Sequence, residues 1–97
     1  MRVTAKSPVY DAVEWRPNSS GTNQHPWPAS FNPWLQSFRP YKVTNHNEWW
    51  VEVPNGHGAL SDSAGPGYWI ILLDSEKGHF LAVDQEEMLK QFQGLNE

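Results

Sequence analysis

The apolar positions of this chain of 97 residues fall into short blocks with a two-residue repeat, and only near the end do they take up the three-to-four spacing of a helix. In residues 8–15, rich in β-branched and aromatic side chains, Val9, Val13 and Trp15 share one side of the repeat, which predicts a first strand ended by Pro17. Residues 41–45 predict a short strand. Residues 48–53 predict a longer one, in which Trp49, Val51 and Val53 alternate with Glu48, Trp50 and Glu52, the first set facing a core. Residues 68–73 are continuously apolar between the turn residues 64–67 and 74–78, the pattern of a strand buried on both faces. Residues 79–83 then complete a hairpin, and this pair is expected at the centre of the sheet.

Asn55-Gly56 tolerates the positive φ of a tight turn and predicts a return strand through Ala59 and Leu60. Asp84, with Glu87 three residues on, begins a helix whose apolar stripe is Met88, Leu89 and Phe92; Gly94 is placed to end it, with Leu95 folding back on the stripe. Residues 18–24 are a polar surface loop. Residues 25–41 carry four prolines, which forbid a regular central strand, but Asn32 and Pro33 can start a helical turn over residues 33–38 with Trp34, Leu35 and Phe38 on one face. The fold expected is one α+β domain over residues 1–97. It is a small, strongly bent antiparallel sheet or partly open barrel of about five strands with a C-terminal helix on one face, and residues 18–41 form a loop-rich aromatic and proline insertion.

Composition narrows the function. A chain this short holds one core. The absence of cysteine removes disulfides, thiolate nucleophiles and Cys-ligated zinc, and fits a reducing cytosol. No stretch is apolar enough to span a membrane or serve as a signal segment, so a soluble protein is expected. A net charge of −4 without a basic cluster argues against direct nucleic-acid binding, and the acidity is too scattered for DNA mimicry. Six tryptophans stand out, because indoles serve equally as core filling and as interface anchors.

The order of motifs resembles that of small bacteriophage and prophage proteins. It runs Pro8-Val9, Ala12-Val13-Glu14-Trp15, Gly65-Pro66-Gly67-Tyr68-Trp69-Ile70-Ile71, Lys77-Gly78-His79-Phe80, then a terminal helix carrying Phe92. That family has a Pro-Gly-Asp-Trp-Ile-Ile turn and strand, a Gly-Glu-Phe-Tyr-Pro hairpin and a closing helix. Here Tyr68 stands in place of the Asp, His79 in place of the Glu, and Leu81-Ala82-Val83 in place of a Tyr-Pro-Cys run, so no chemistry of those groups carries over. The resemblance implies a phage origin and a role inside an infected bacterial cell, where a chain of this size acts by binding a host protein.

His25, His46, His57 and His79 have no second ligand at motif spacing, so neither a metal nor a cofactor is expected. Asp11 with Glu14, and Glu48 with Glu52, are carboxylate pairs on half-exposed strands, where a solvated face is the ordinary reading, and no nucleophile elbow or phosphate loop accompanies them. The expectation is a non-enzymatic protein-interaction surface built from Trp27, Phe31, Trp34, Phe38, Glu48, Trp50 and Glu52. The aromatic stretch leaves a second reading open, in which it wraps the sheet and completes the core. Two other functions also stay open: a virion or assembly component that presents the same surface to its own copies, or a small hydrolase or ligand binder with a pocket among Trp15, Trp49 and Trp69.

Overall fold

Prolines and turn residues cut the chain into short segments, and the structure, a computed structural model, describes residues 2–4, 9–56 and 61–94. These hold β1 (Arg2–Thr4), β2 (Val9–Glu14), a 3-10 helix (Ala29–Ser37), β3 (Arg39–Val43), β4 (Glu48–Pro54), β5 (Ser61–Ala64), β6 (Trp69–Asp74), β7 (His79–Val83), α1 (Gln85–Gln91) and β8 (Gln93–Gly94). Every strand pairing is antiparallel, in one sheet of order β7-β6-β2-β1-β8 and a second of order β3-β4-β5.

The α+β class is as expected, but the single sheet of about five strands is not. Six strands of four residues or more make two three-stranded units, β7-β6-β2 and β3-β4-β5, and the short β1 and β8 extend the first. They form no closed barrel, because residues 18–38 carry the chain off β2 and across its face, so that β3 to β5 stack on the first sheet instead of continuing it. The Asn55–His79 bridge joins the two at one point. The β6–β7 pair is also not central, since β6 lies between β7 and β2 and leaves β7 at the edge.

Alternation on β2 and β6 explains the layering. Val13, Trp15, Ile70 and Leu72 face the second sheet and meet Val51, Val53 and Ala64 there, with Phe80 of β7 and with Phe31 and Phe38 from the 3-10 segment. Ala12 and Ile71 face the other way and form a second cluster with Val3, Val83 and Met88 of α1. The first sheet is therefore covered on both faces, as the unbroken apolar run at 68–73 predicts. The Trp15 indole N–H donates to the Trp49 carbonyl at 3.0 Å and ties the two sheets together.

Asp84 caps α1 by accepting a hydrogen bond from the Glu87 backbone N–H at 2.8 Å. Asp84→Ala is expected to cost about 1 kcal/mol in urea denaturation while Asp84→Asn retains most of the stability. The stripe is narrower than expected: Met88 is buried and Phe92 meets Tyr10 edge-on, but Leu89 is 72% exposed. Gly94 does not end the helix, which stops at Gln91 with Phe92 already extended, because Gln93 and Gly94 pair with β1. The helix of the proline-rich segment is 3-10 over Ala29–Ser37, so Asn32 lies inside it and is not its cap, and Pro33 is accommodated within. Pro8, His57, Ala59, Leu60 and Leu95, and the side chain of Val9, lie outside the described set. Among the described residues no helix is long and apolar enough to cross a membrane.

Candidate protein-interaction face

The seven residues expected to meet a partner separate into two groups. Phe31 and Phe38 are core residues, which corrects their assignment to an interface: Phe31 is wholly buried, and both rings meet Phe80 edge-on at 4.9 Å between centroids. Trp27 is half-buried, stacked on Trp15 at 6.1 Å and perpendicular to Phe38. Trp34 reaches across to the β6–β7 turn, where its indole N–H donates to the Ser75 carbonyl at 3.1 Å. The segment therefore completes the core, and the prolines that exclude a strand allow it to fold over the sheet as a 3-10 turn.

Glu48, Trp50 and Glu52 stay together. They occupy one side of β4, while Val51 and Val53 on the other side are fully buried. The antiparallel register sets Tyr41 opposite Trp50, Arg39 opposite Glu52, Val43 opposite Glu48 and Ser63 opposite Glu52 on the far strand, so these side chains share the outward face of β3-β4-β5. A solvent-facing sheet side is ordinarily polar. This one carries Tyr41, Val43, Trp50 and Pro54 among three charges, and Tyr41 is among the exposed large hydrophobic residues. Tyr41, the last aromatic of the proline-rich stretch, stands outside those seven, yet counting back from the turn at 44–47 aligns it with Trp50.

Trp50 is covered by its own chain. Its ring lies on Gly65, where a β-carbon would come within 2.7 Å of Cζ2, and Tyr68 sits beside it at 5.6 Å with the planes inclined by 52°. The Trp50 indole N–H is buried there and makes no hydrogen bond among the described residues. An unpaired buried donor costs about 1–3 kcal/mol, which marks the position as unusual for a surface filled only for solubility.

The remaining candidates do not converge. Trp15, Trp49 and Trp69 line three different grooves, of about 240, 740 and 600 Å³, and none of these contains a second member of that trio. In the third, Ser30 Oγ donates to Asp11 Oδ2, while Glu14 is held by Arg16 at 3.0 Å with His25 Nε2 at 3.6 Å, so the serine and the histidine answer to different carboxylates. Among the described residues no three potential metal ligands cluster. No family model, curated protein or solved structure matches the chain.

Proposed function

We propose that this chain is a phage-encoded, non-enzymatic binding domain that engages a bacterial host protein and inhibits or redirects it through the outward face of β3-β4-β5. The observation that supports the reading is the Tyr41–Trp50 pair, flanked by Glu48, Glu52 and Arg39 on a sheet face where polar residues are the rule. An aromatic centre inside a charged rim is the anatomy of a protein interface. The phage origin and the host target rest on the order of sequence motifs, and stoichiometric binding requires no catalytic group.

Affinity capture from bacterial lysate with tagged wild type and Tyr41→Ala tests it. Tyr41 is on an exposed edge strand, so the variant is expected to keep the wild-type melting temperature within a few degrees. One host protein is expected to be retained by the wild type and reduced at least tenfold with Tyr41→Ala, the loss that accompanies removal of an interface anchor. Equal retention by both would overturn the role of the face. Recovery of the bait alone, with a mass that grows with concentration, would instead favour a virion or assembly component.

A further inference from the structure

We infer that the groove bordered by Trp49 is a second binding site, separate from the outward face of β3-β4-β5, and that it takes an oligosaccharide carrying a carboxylate. At about 740 Å³ the groove is the largest of the three described above and falls within the range of small-ligand sites. Turns make most of its wall: residues 17–24 after β2, residues 44–47 between β3 and β4, and residues 65–67 before β6.

The indole is held as a fixed plate. Its N–H donates to the Ser19 carbonyl at 3.1 Å, and one face rests on Gly21, where a β-carbon would come within 2.8 Å of Cδ2. Gly21 does not line this groove, so the other side of the ring is the one turned toward it. The loop that supplies Ser19 and Gly21 is fixed in turn. Asn18 Oδ1 accepts from the backbone N–H groups of Ser20 and Thr22 and from the Ser20 hydroxyl, while the Gln24 N–H donates to the Arg16 carbonyl. Such a network exceeds what a connection requires, and a wall already ordered loses little entropy when a ligand binds.

Around that plate the polar groups are uncommitted. Lys42 lies opposite Trp49 in the β3–β4 register and so shares its side of the sheet. The side chains of Lys42, Asn47 and Glu48 all line the groove and make no hydrogen bond or ion pair among the described residues. Amides both donate and accept, a carboxylate accepts and an ammonium donates, so this rim suits groups that do both. Sugar hydroxyls do so, and a pyranose ring also has a C–H face that can lie flat on an indole. A wholly apolar ligand would leave the amides and charges without partners. A nucleotide could stack on the ring, but its phosphate dianion would stand beside Glu48, and Arg16 is already held by Glu14 at 3.0 Å. One uncommitted cation, Lys42, matches one carboxylate on the sugar.

The test is an array of immobilised oligosaccharides, neutral and acidic, probed with biotinylated protein assembled on streptavidin so that multivalency raises a weak single-site affinity. Wild type is expected to be retained on saccharides that carry a uronic or sialic acid, and Lys42→Ala to lose at least tenfold of that signal. Asn47→Gly removes the amide yet suits the left-handed backbone there, φ 52°, and should weaken retention several-fold. Both positions are exposed, so each variant should melt within a few degrees of wild type. In solution the best-retained saccharide should shift the Trp49 indole N–H resonance saturably, the signal being assigned by its loss in Trp49→Phe. Raised salt should weaken that binding, since screening shortens the reach of exposed charges. An array that retains nothing, or retention that both variants leave unchanged, overturns the inference, as does a Trp49 resonance unmoved by the retained saccharide. Equal retention on neutral and acidic saccharides overturns the carboxylate, and adenosine monophosphate bound more tightly than any saccharide overturns the ligand class.

Discussion

Phe31→Ala is expected to lower the unfolding free energy by about 3–5 kcal/mol, the usual range for removing a buried aromatic side chain. Phe31 is completely buried, with Phe80 at 4.9 Å, Trp27 at 6.0 Å and Phe38 at 6.2 Å between ring centroids. Those neighbours are themselves fixed: Trp27 is stacked on Trp15, and the Trp15 indole is bonded to the backbone of β4. The cavity therefore has little freedom to collapse, which puts the cost toward the upper part of the range. Urea denaturation should show the midpoint fall with the slope unchanged, as for a change in stability without a change in the surface exposed on unfolding. A loss below about 1 kcal/mol, the size expected of an exposed position, would return the segment to the surface. Tyr41→Ala in parallel should lie near that smaller value, and the contrast distinguishes core from face within one aromatic-rich region.

Gly78→Ala is expected to cost about 2–4 kcal/mol, from two causes that a double-mutant cycle separates. Gly78 has φ +69°, a left-handed conformation that costs an ordinary L-residue about 1 kcal/mol or somewhat more. A β-carbon there would also come within 2.6 Å of Trp34 Cε3, and the indole cannot simply retreat because its N–H is bonded to Ser75. In a Trp34→Ala background the steric part disappears and only the backbone part remains, so Gly78→Ala should cost about 1 kcal/mol there. Identical costs in the two backgrounds would mean that Trp34 is not seated on the turn.

The elements whose environment is dictated locally were legible in the sequence. The alternation at 48–53 places Val51 and Val53 inward, the apolar run at 68–73 is buried on both faces, and Asp84 caps the helix it precedes. What escaped depends on neighbours distant along the chain. Nothing in residues 79–83 reveals that β7 is an edge, since that follows from β2 pairing with β6. Gly94 carries the signature of a helix terminator, and only the partner strand β1 makes it part of a sheet. The division of Trp27, Phe31, Trp34 and Phe38 from Trp50 was equally hidden, because both sets are aromatic and bordered by polar residues; Phe80, which two of the four abut, lies 42 residues beyond Phe38 and 49 beyond Phe31. Tyr41 was within reach, requiring only that the turn be counted.

Strand order also bears on how the molecule is made. The β3–β4 and β6–β7 hairpins are local and can form as soon as their residues leave the ribosome. β2, synthesised well before β6, finds its apolar partner only when β6 emerges, since Ala12 pairs with Ile71 and Val13 with Ile70. Until then β2 has only the short β1 beside it, whose pairing covers Val9 to Asp11 and stops short of Val13 and Trp15. Pairing between residues so far apart slows folding, because a long loop must close before any contact rewards it. During translation the polar stretch at 18–24 and the prolines that follow keep this exposed strand from extending into a longer sticky segment.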